Sequence, residues 1–505
     1  MRRSRDNSGI KPLMGHEFED YTTYEGRNTY SRSLCFLLYR ACRELYPGKR
    51  LTIRRPISKG LFCRLEGVNP TEAGTLRIKE VMRSTVESGA PFVRHEVPLQ
   101  DAVQLFGSLG REDVVKLLLN DGGKSDEMAV YYTLDGCADI FYGPLLPDTS
   151  RLKVWDLLPY EDGMLLRLPD RHAPQNLAPM YMQPKTMDIL RENMEWNASM
   201  GLENVGDLNE ACLKGAGERL VKMSRQLQND KLVKICGEIL RRTQSKDNPS
   251  VRLVLITGPS SSGKSTFCKR LALQLEKCGL EPLSVSTDDY FVDRVKTPLL
   301  PDGSYDFDNF DTVDHDAMQD DILRLLDAQV VQVPQYNFVT GIREYNGRTL
   351  QMKKGSVLIV EGIHALNPAL TDKISEGCKF KIFINTFTSI NLDDHNCIPT
   401  SDNRLLRRIL RDHLCGAFTP CETIANWPNV RRSEVKWVYP YQETADALFN
   451  SAFLAEGAVV RTLGEKLLKT VPEGCPQFKE AARLKRYLSH FVSVSDENIQ
   501  NDIMI

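Results

Sequence analysis

No uninterrupted apolar stretch of about 18 residues occurs in this chain, so no membrane-spanning helix is expected. The first residues lack the apolar segment of a secretory signal, which points to a cytoplasmic protein, while Arg2, Arg3 and Arg5 leave organelle targeting open. The 13 cysteines are odd in number and never spaced as Cys-x-x-Cys. That excludes a zinc knuckle and a disulfide framework, and predicts reduced, mostly buried thiols. Net charge is only −2, so no global field draws the molecule to nucleic acid or membrane. The local run Lys49, Arg50, Arg54, Arg55, Lys59 and Arg64 reads as a solvated strand-turn surface. There is no internal repeat and no low-complexity tract.

What is present is length and periodicity. A chain of 505 residues exceeds one ordinary core and predicts two or three domains. Residues 1–24 are polar and irregular and read as a tail. From 25 to 170 the pattern is α+β: a helical stripe Leu34, Leu37, Leu38, Ala41, Leu45 stops at Pro47-Gly48, and strands follow at Leu51–Ile53, Leu61–Leu65, Ala129–Leu134 and Met164–Leu168. Residues 171–247 combine a Pro-rich linker with charged connecting helices, and 473–505 read as a helix, Phe478–Phe491, and a tail. Between them, over 248–472, the apolar runs Val251–Ile256, Leu283–Ser286, Val357–Val360 and Phe380–Ile384 alternate with helical segments. That alternation predicts an α/β unit with a parallel sheet and helices on both faces.

Directly behind the first of those runs stands Gly258-Pro-Ser-Ser-Ser-Gly-Lys-Ser, followed by the helical stripe Phe267, Leu271, Leu275. A glycine-rich turn between a buried strand and a helix curls around a phosphate chain with its N–H groups inward; here Gly258, Pro259, Ser260, Ser261, Ser262, Gly263 and Thr266 are the expected cofactor-binding residues. Lys264 adds a positive charge for the β and γ phosphates and Ser265 a magnesium ligand, so ATP and Mg²⁺ are the expected cofactors.

In an open parallel sheet the ligand crevice lies at the carboxyl ends of the strands. Acids stand after three of these positions: Asp288 with Asp289, Asp308, and Glu361. Singly each reads as a cap or turn residue; together they could accept a hydroxyl proton and hold magnesium, the two services phosphoryl transfer needs. No Asn/Thr-Lys-x-Asp motif is present, which disfavours a guanine-nucleotide switch.

In order along 250–460, the motifs Gly258-Pro-Ser-Ser-Ser-Gly-Lys-Ser, Ser286-Thr-Asp-Asp-Tyr-Phe, Phe307-Asp-Asn-Phe-Asp, Gln335-Tyr-Asn-Phe-Val, Val360-Glu-Gly-Ile and Arg404-Leu-Leu-Arg-Arg-Ile-Leu-Arg-Asp resemble the uridine kinase and phosphoribulokinase family. Asp394-His-Asn, Asp402-Asn-Arg, Trp427-Pro, Arg431-Arg and Tyr439-Pro-Tyr-Gln-Glu further resemble its long, two-part uridine kinase-like members. The resemblance implies a P-loop kinase fold and ATP-dependent transfer to the 5′-hydroxyl of a nucleoside. In that reading Asp288 is the general base, Asp308 holds ribose hydroxyls, Tyr336 lies beside the nucleobase, and Glu361 binds magnesium through water. Arg404, Arg407, Arg408 and Arg411 fall in the lid helix: Arg407 and Arg411 are catalytic with Lys264, Arg408 touches the cofactor and Arg404 the acceptor. Four arginines in eight positions repel one another unless an anion neutralises them, and a bound triphosphate is the expected anion. Where the family's uridine-cytidine kinases carry a pyrimidine-reading histidine this chain has Gly341, which leaves the acceptor's identity open.

Residues 25–170 resemble the second additional domain of threonyl-tRNA synthetase, through Leu37-Leu-Tyr-Arg-Ala-Cys-Arg-Glu-Leu-Tyr-Pro-Gly and Tyr142-Gly-Pro-Leu-Leu-Pro-Asp-Thr. The positions of the synthetase's editing centre are Arg32, Phe36, Phe141 and Leu145 here, so hydrolysis of mischarged tRNA is not expected. The expected partner is a nucleoside or related small acceptor, with no membrane; RNA and self-association stay open. Two alternatives also stay open: a kinase of another sugar-like alcohol, and an ATP-gated RNA-binding or regulatory protein without small-molecule turnover.

Overall fold

The computed structural model describes residues 20–120, 128–244, 250–300, 303–388 and 390–494. The expected N-terminal tail, with Arg2, Arg3 and Arg5, lies outside the described residues up to 19, as does the C-terminal end beyond 494. The chain divides into two compact units. One comprises Met1–Val115, Ser125–Met182 and Asp393–Cys397; the other comprises Lys116–Lys124, Gln183–Leu392 and Ile398–Ile505. Among the described residues no helix is long and apolar enough to cross a membrane.

The first unit opens with α1 (Tyr24–Leu45), whose stripe Leu34, Leu37, Leu38 and Ala41 is fully buried and whose start is capped by the Thr23 side chain. There follow β1 (Leu51–Ile57), β2 (Gly60–Leu65), α2 (Glu72–Ser88), β3 (Val93–Pro98), α3 (Leu99–Ser108), α4 (Glu112–Leu119, which runs on into the second unit), β4 (Met128–Leu134), β5 (Cys137–Asp139), β6 (Asp156–Tyr160) and β7 (Gly163–Arg167). Two antiparallel sheets result, in orders β1-β2-β7-β6 and β3-β4-β5. Phe36, Phe141 and Leu145, three of the positions matching the editing centre, are packed into the core, with the two phenylalanine rings 5.4 Å apart. Arg32 donates to the carbonyl of Pro144 at 3.2 Å.

A buried charge cluster lies in this unit. Arg111 makes two bonds to Asp113, at 2.9 and 3.0 Å, and one to Asp139 at 2.5 Å. His395 joins it, with Nδ1 2.6 Å from Asp139 and Nε2 3.1 Å from the carbonyl of Leu51. Burial raises both carboxyls, but Arg111 more than offsets it and holds Asp113 and Asp139 below the usual carboxylate range. Asp393, by contrast, is pushed up to about 6 by burial and the charge of Asp113. The basic run departs from its expected exposure: Arg54 is buried, and Arg50 grips Asp394 with two bonds of 2.6 Å.

The second unit contains α5 (Pro184–Ser199), α6 (Val205–Leu213), α7 (Gly217–Thr243), β8 (Leu253–Thr257), α8 (Lys264–Lys277), β9 (Glu281–Ser286), α9 (His315–Leu326), β10 (Val331–Gln332), β11 (Gln335–Asn337), β12 (Ile342–Glu344), β13 (Thr349–Leu350), β14 (Ser356–Glu361), β15 (Lys379–Asn385), α10 (Thr400–Leu414), α11 (Pro420–Trp437), β16 (Ala447–Asn450), α12 (Glu456–Leu468) and α13 (Phe478–Ser489). Five strands form an all-parallel sheet in the order β16-β15-β8-β14-β9. Alternate residues serve opposite faces: Leu253, Leu255, Leu358 and Val360 pack with Met318, Ile322 and Leu325 of α9, whereas Val254, Ile256, Val357 and Ile359 pack with α7 and α8. This is the expected α/β fold with both faces covered. A disulfide joins Cys421 and Cys475, 54 residues apart, where only reduced thiols were expected; no spacing motif marks the pair.

Candidate active site

The phosphate loop runs from the end of β8 into α8. Its shape demands glycine at Gly258, because a Cβ there would lie 2.0 Å from the carbonyl oxygen of Ile384 on β15. Gly263 has φ +83° and Ser261 φ +57°, which turns the loop's amides inward. Ser262 is fully buried, and Ser265 and Thr266 open the helix behind it. Lys264 reaches back over the loop, its Nζ 3.0 Å from the carbonyl of Gly258 and 3.2 Å from that of Pro259. Desolvation lowers its pKa, opposed by the charges of Glu361 and Asp288.

The three acids converge on this loop. Glu361 ends β14 and accepts from Ser265 Oγ at 3.2 Å and Ser286 Oγ at 3.4 Å. Asp288 follows β9 in a short turn capped by Ser286, and its pKa is raised to about 6 by desolvation and by the charge of Glu361, with Lys264 opposing. Asp308 is likewise raised to about 6 by desolvation, with Arg408 opposing. Close approach at Gly362 is obligatory, since a Cβ there would lie 1.8 Å from Thr287 Oγ1. The oxygen donors of Ser265 and Glu361 suit a hard divalent cation, and a cation there would offset the Glu361 charge that adds to the desolvation raising Asp288. Among the described residues there is no group of three or more His, Cys, Asp or Glu that could hold a metal ion.

Arg408 and Arg411 behave differently from their neighbours on α10. Arg408 donates to Ser260 Oγ at 2.8 Å, and Arg411 is two-fifths exposed and paired with Asp412 at 3.0 Å. Arg404 is completely buried: its Nε donates to the carbonyl of Ser260 at 3.0 Å, Nη1 to the hydroxyl of Tyr439 at 2.7 Å, and Nη2 to Glu434. Arg407 is held by both oxygens of Glu456 and by the carbonyl of Ser451. The expectation that a bound anion neutralises this cluster therefore needs correction: Glu434, Glu456 and Asp412 of the protein do so. Arg404 braces the loop through the Ser260 carbonyl, and Arg407 ties α10 to Ser451 and Glu456.

Glu434, which the sequence reading missed, also accepts the Ser260 amide at 2.8 Å, so one carboxylate ties α11, α10 and the phosphate loop together. Its neighbours Arg431 and Tyr439 fall in motifs carrying the family resemblance, which was the available signal. His364 was missed too; it is buried beside Phe310 and Trp437, and burial lowers its pKa to about 4.

Tyr336 on β11 is buried edge-on against Phe291 at 5.5 Å and Phe338 at 5.1 Å. Gly341 has φ +73°, and a Cβ there would lie 2.8 Å from Nε of Arg294, whose amide donates to the Gly341 carbonyl. The missing histidine has a steric reason: Arg294 fills the space a side chain would need.

Residues 253–453 match the model of the Phosphoribulokinase / Uridine kinase family. A uridine kinase of Clostridium botulinum (strain Kyoto / Type A2) is 28% identical over 197 residues, 39% of this chain and 86% of that protein. A uridine kinase of Mycoplasma genitalium is 32% identical over 160 residues, 32% of this chain and 66% of that protein. In the N-terminal region a threonine–tRNA ligase of Symbiobacterium thermophilum is 30% identical over 135 residues, 26% of this chain; the chain spans only 20% of that ligase's length. The C-terminal part of the chain, residues 253–453, is a domain of the phosphoribulokinase / uridine kinase family.

Proposed function

We propose that the chain is an ATP- and magnesium-dependent kinase that transfers the γ-phosphoryl group to the 5′-hydroxyl of a nucleoside, uridine or a relative. One observation carries the reading: Asp288, Glu361 and Lys264 interact at the phosphate loop, where a base, a magnesium ligand and a phosphate-binding cation are all required. In this mechanism the loop amides and Lys264 hold the triphosphate. Ser265, and Glu361 through water, would hold magnesium, which when bound would supply charge neutralisation at the phosphates. Asp288 accepts the acceptor's hydroxyl proton as that oxygen meets the γ phosphorus; its raised pKa makes it a better base than an ordinary aspartate and leaves it ionised at neutral pH. Asp308 orients ribose hydroxyls, Tyr336 flanks the base, and Arg408 and Arg411 stabilise charge during transfer.

Gly341 and Arg294 support a nucleoside acceptor more firmly than uridine itself, since the pyrimidine-reading group is absent. The test is a screen of nucleosides and sugar alcohols for ATP-dependent product, run beside Asp288→Asn. The variant is expected to bind ATP normally and to lose roughly a hundredfold or more in kcat. Unchanged transfer by Asp288→Asn would overturn the base assignment, and an inert screen would overturn the kinase.

A further inference from the structure

The second unit contains a cavity of about 150 Å³ between α5, α7 and the loop after β16, apart from the phosphate loop and the acceptor acids. Two of its walls, α5 and α7, lie outside the family domain at 253–453, so it is an addition to the kinase core. Trp196, Leu227 and Leu454 give it flat apolar sides. Three amides line it. Gln228 is committed on both atoms, to the carbonyl of Ala452 and to Arg270, and Asn450 likewise, to Phe387 and Ala452. Asn193 differs: its amide nitrogen is buried and donates to no protein acceptor. Lys231, at the same cavity, is paired with Glu192 at 2.9 Å, which removes the cation a phosphate would need.

A cavity of this size holds one aromatic ring system, and its chemistry asks for a flat apolar face plus one hydrogen-bond acceptor on the edge. A carbohydrate would bring several hydroxyls that one spare donor leaves unpaired, and a lipid chain would make no use of that donor; a nucleobase offers a flat apolar face with an acceptor on its edge. The wall Asn450–Leu454 also reaches the phosphate loop, for Ser451 accepts from Arg407 through its carbonyl at 2.8 Å, and a Cβ on Gly263 would lie 3.8 Å from Ser451 Cβ. We infer that this cavity is a nucleobase-binding site, with Asn193 donating to a ring nitrogen or carbonyl and Trp196 and Leu227 covering the ring. The nearness of this wall to the phosphate loop, through Ser451, favours the base of the donor nucleotide, and that assignment rests on the kinase reading. A base from a separate effector nucleoside presents the same chemistry.

The experiment uses the full chain, titrated calorimetrically with adenosine, uridine, ATP and magnesium tripolyphosphate. Two variants accompany it: Asn193→Leu, which removes the donor, and Ser224→Phe, which fills the cavity from α7. Adenosine is expected to bind saturably and to weaken roughly tenfold or more in either variant, the loss of one buried hydrogen bond, while tripolyphosphate affinity is unchanged. If the base belongs to the donor, ATP weakens by the same factor and adenosine competes with it. If it belongs to an effector, ATP binding is unaltered and adenosine does not compete. The inference is overturned if neither nucleoside binds, or if both bind folded variants as tightly as the parent; should Ser224→Phe fail to fold, Asn193→Leu alone decides. Nucleoside binding without any phosphoryl transfer would remove the kinase reading and leave the site standing.

Discussion

Asp308 is raised to about 6 chiefly because desolvation disfavours its charged form, and that fact has two opposite consequences. In the proposed reaction the ionised carboxylate is the useful hydroxyl acceptor, so acceptor KM should rise as pH falls below about 6, while kcat falls over the same range because Asp288, also raised to about 6, becomes protonated and cannot take the proton. For stability the sign reverses. A carboxyl whose folded pKa exceeds its unfolded value contributes most below the unfolded pKa of about 4, and that contribution is lost as pH rises through about 6. Asp308→Asn should therefore raise the melting temperature at pH 7.5, show little advantage near pH 4, and weaken acceptor binding throughout. A melting series across pH beside acceptor KM measures both, and a variant destabilised at pH 7.5 would contradict the desolvation account. Gly258, Gly341 and Gly362 were legible as glycines, but the atoms that forbid a Cβ, on Ile384, Arg294 and Thr287, could not be read from the chain.

At the scale of elements, strands buried on both faces read plainly because every residue between Leu253 and Ile256 is apolar. The edge strand β16 was missed: four residues, Ala447–Asn450, carry too short a pattern to register. Helix α10 was legible as a helix, yet not in the fates of its arginines, since Glu434 and Glu456 come from elements 30 and 49 residues further on. The pairing of Arg404 with Glu434 makes a definite energetic prediction. Glu434→Leu leaves a fully buried guanidinium without its counter-charge and should destabilise by about 3–5 kcal/mol. The double variant Arg404→Leu/Glu434→Leu should recover a large part of that loss in chemical denaturation, while ATP affinity stays low because the Ser260 amide and carbonyl lose their braces. Additive losses would show that the pair is not coupled.

Across the whole molecule, the N-terminal unit includes five residues, Asp393–Cys397, that follow it by some two hundred positions in sequence. They supply His395 to Asp139 and the Leu51 carbonyl, a backbone amide to Asp113, and Asn396 to the carbonyl of Ile140. A fragment ending at Met182 lacks all of these groups and keeps Arg111, Asp113 and Asp139 beneath a missing cover. It is expected to unfold at lower denaturant than the same unit in the full chain, and a fragment as resistant as the parent would show the segment to be dispensable. The division expected from composition near residue 170 could not include this segment, because a pairing across 256 residues leaves no local trace.

The chain alone determined the phosphate loop, the parallel sheet behind it, the acids Asp288 and Glu361 at its strand ends and the lack of metal ligands at the editing-centre positions of the N-terminal unit, since each depends on residue type within a few positions of its neighbours; Asp308, expected after a strand, stands in a loop instead. Only the tertiary structure decided which arginines face the loop and which are spent on buried carboxylates. It also decided what occupies the space over Gly341, and where connecting helices enclose a cavity beside the nucleotide loop. The physical reason is common to all three. A buried charge or amide takes its partner from whatever packing brings within about 3 Å, and that distance is set by the fold rather than by separation along the chain.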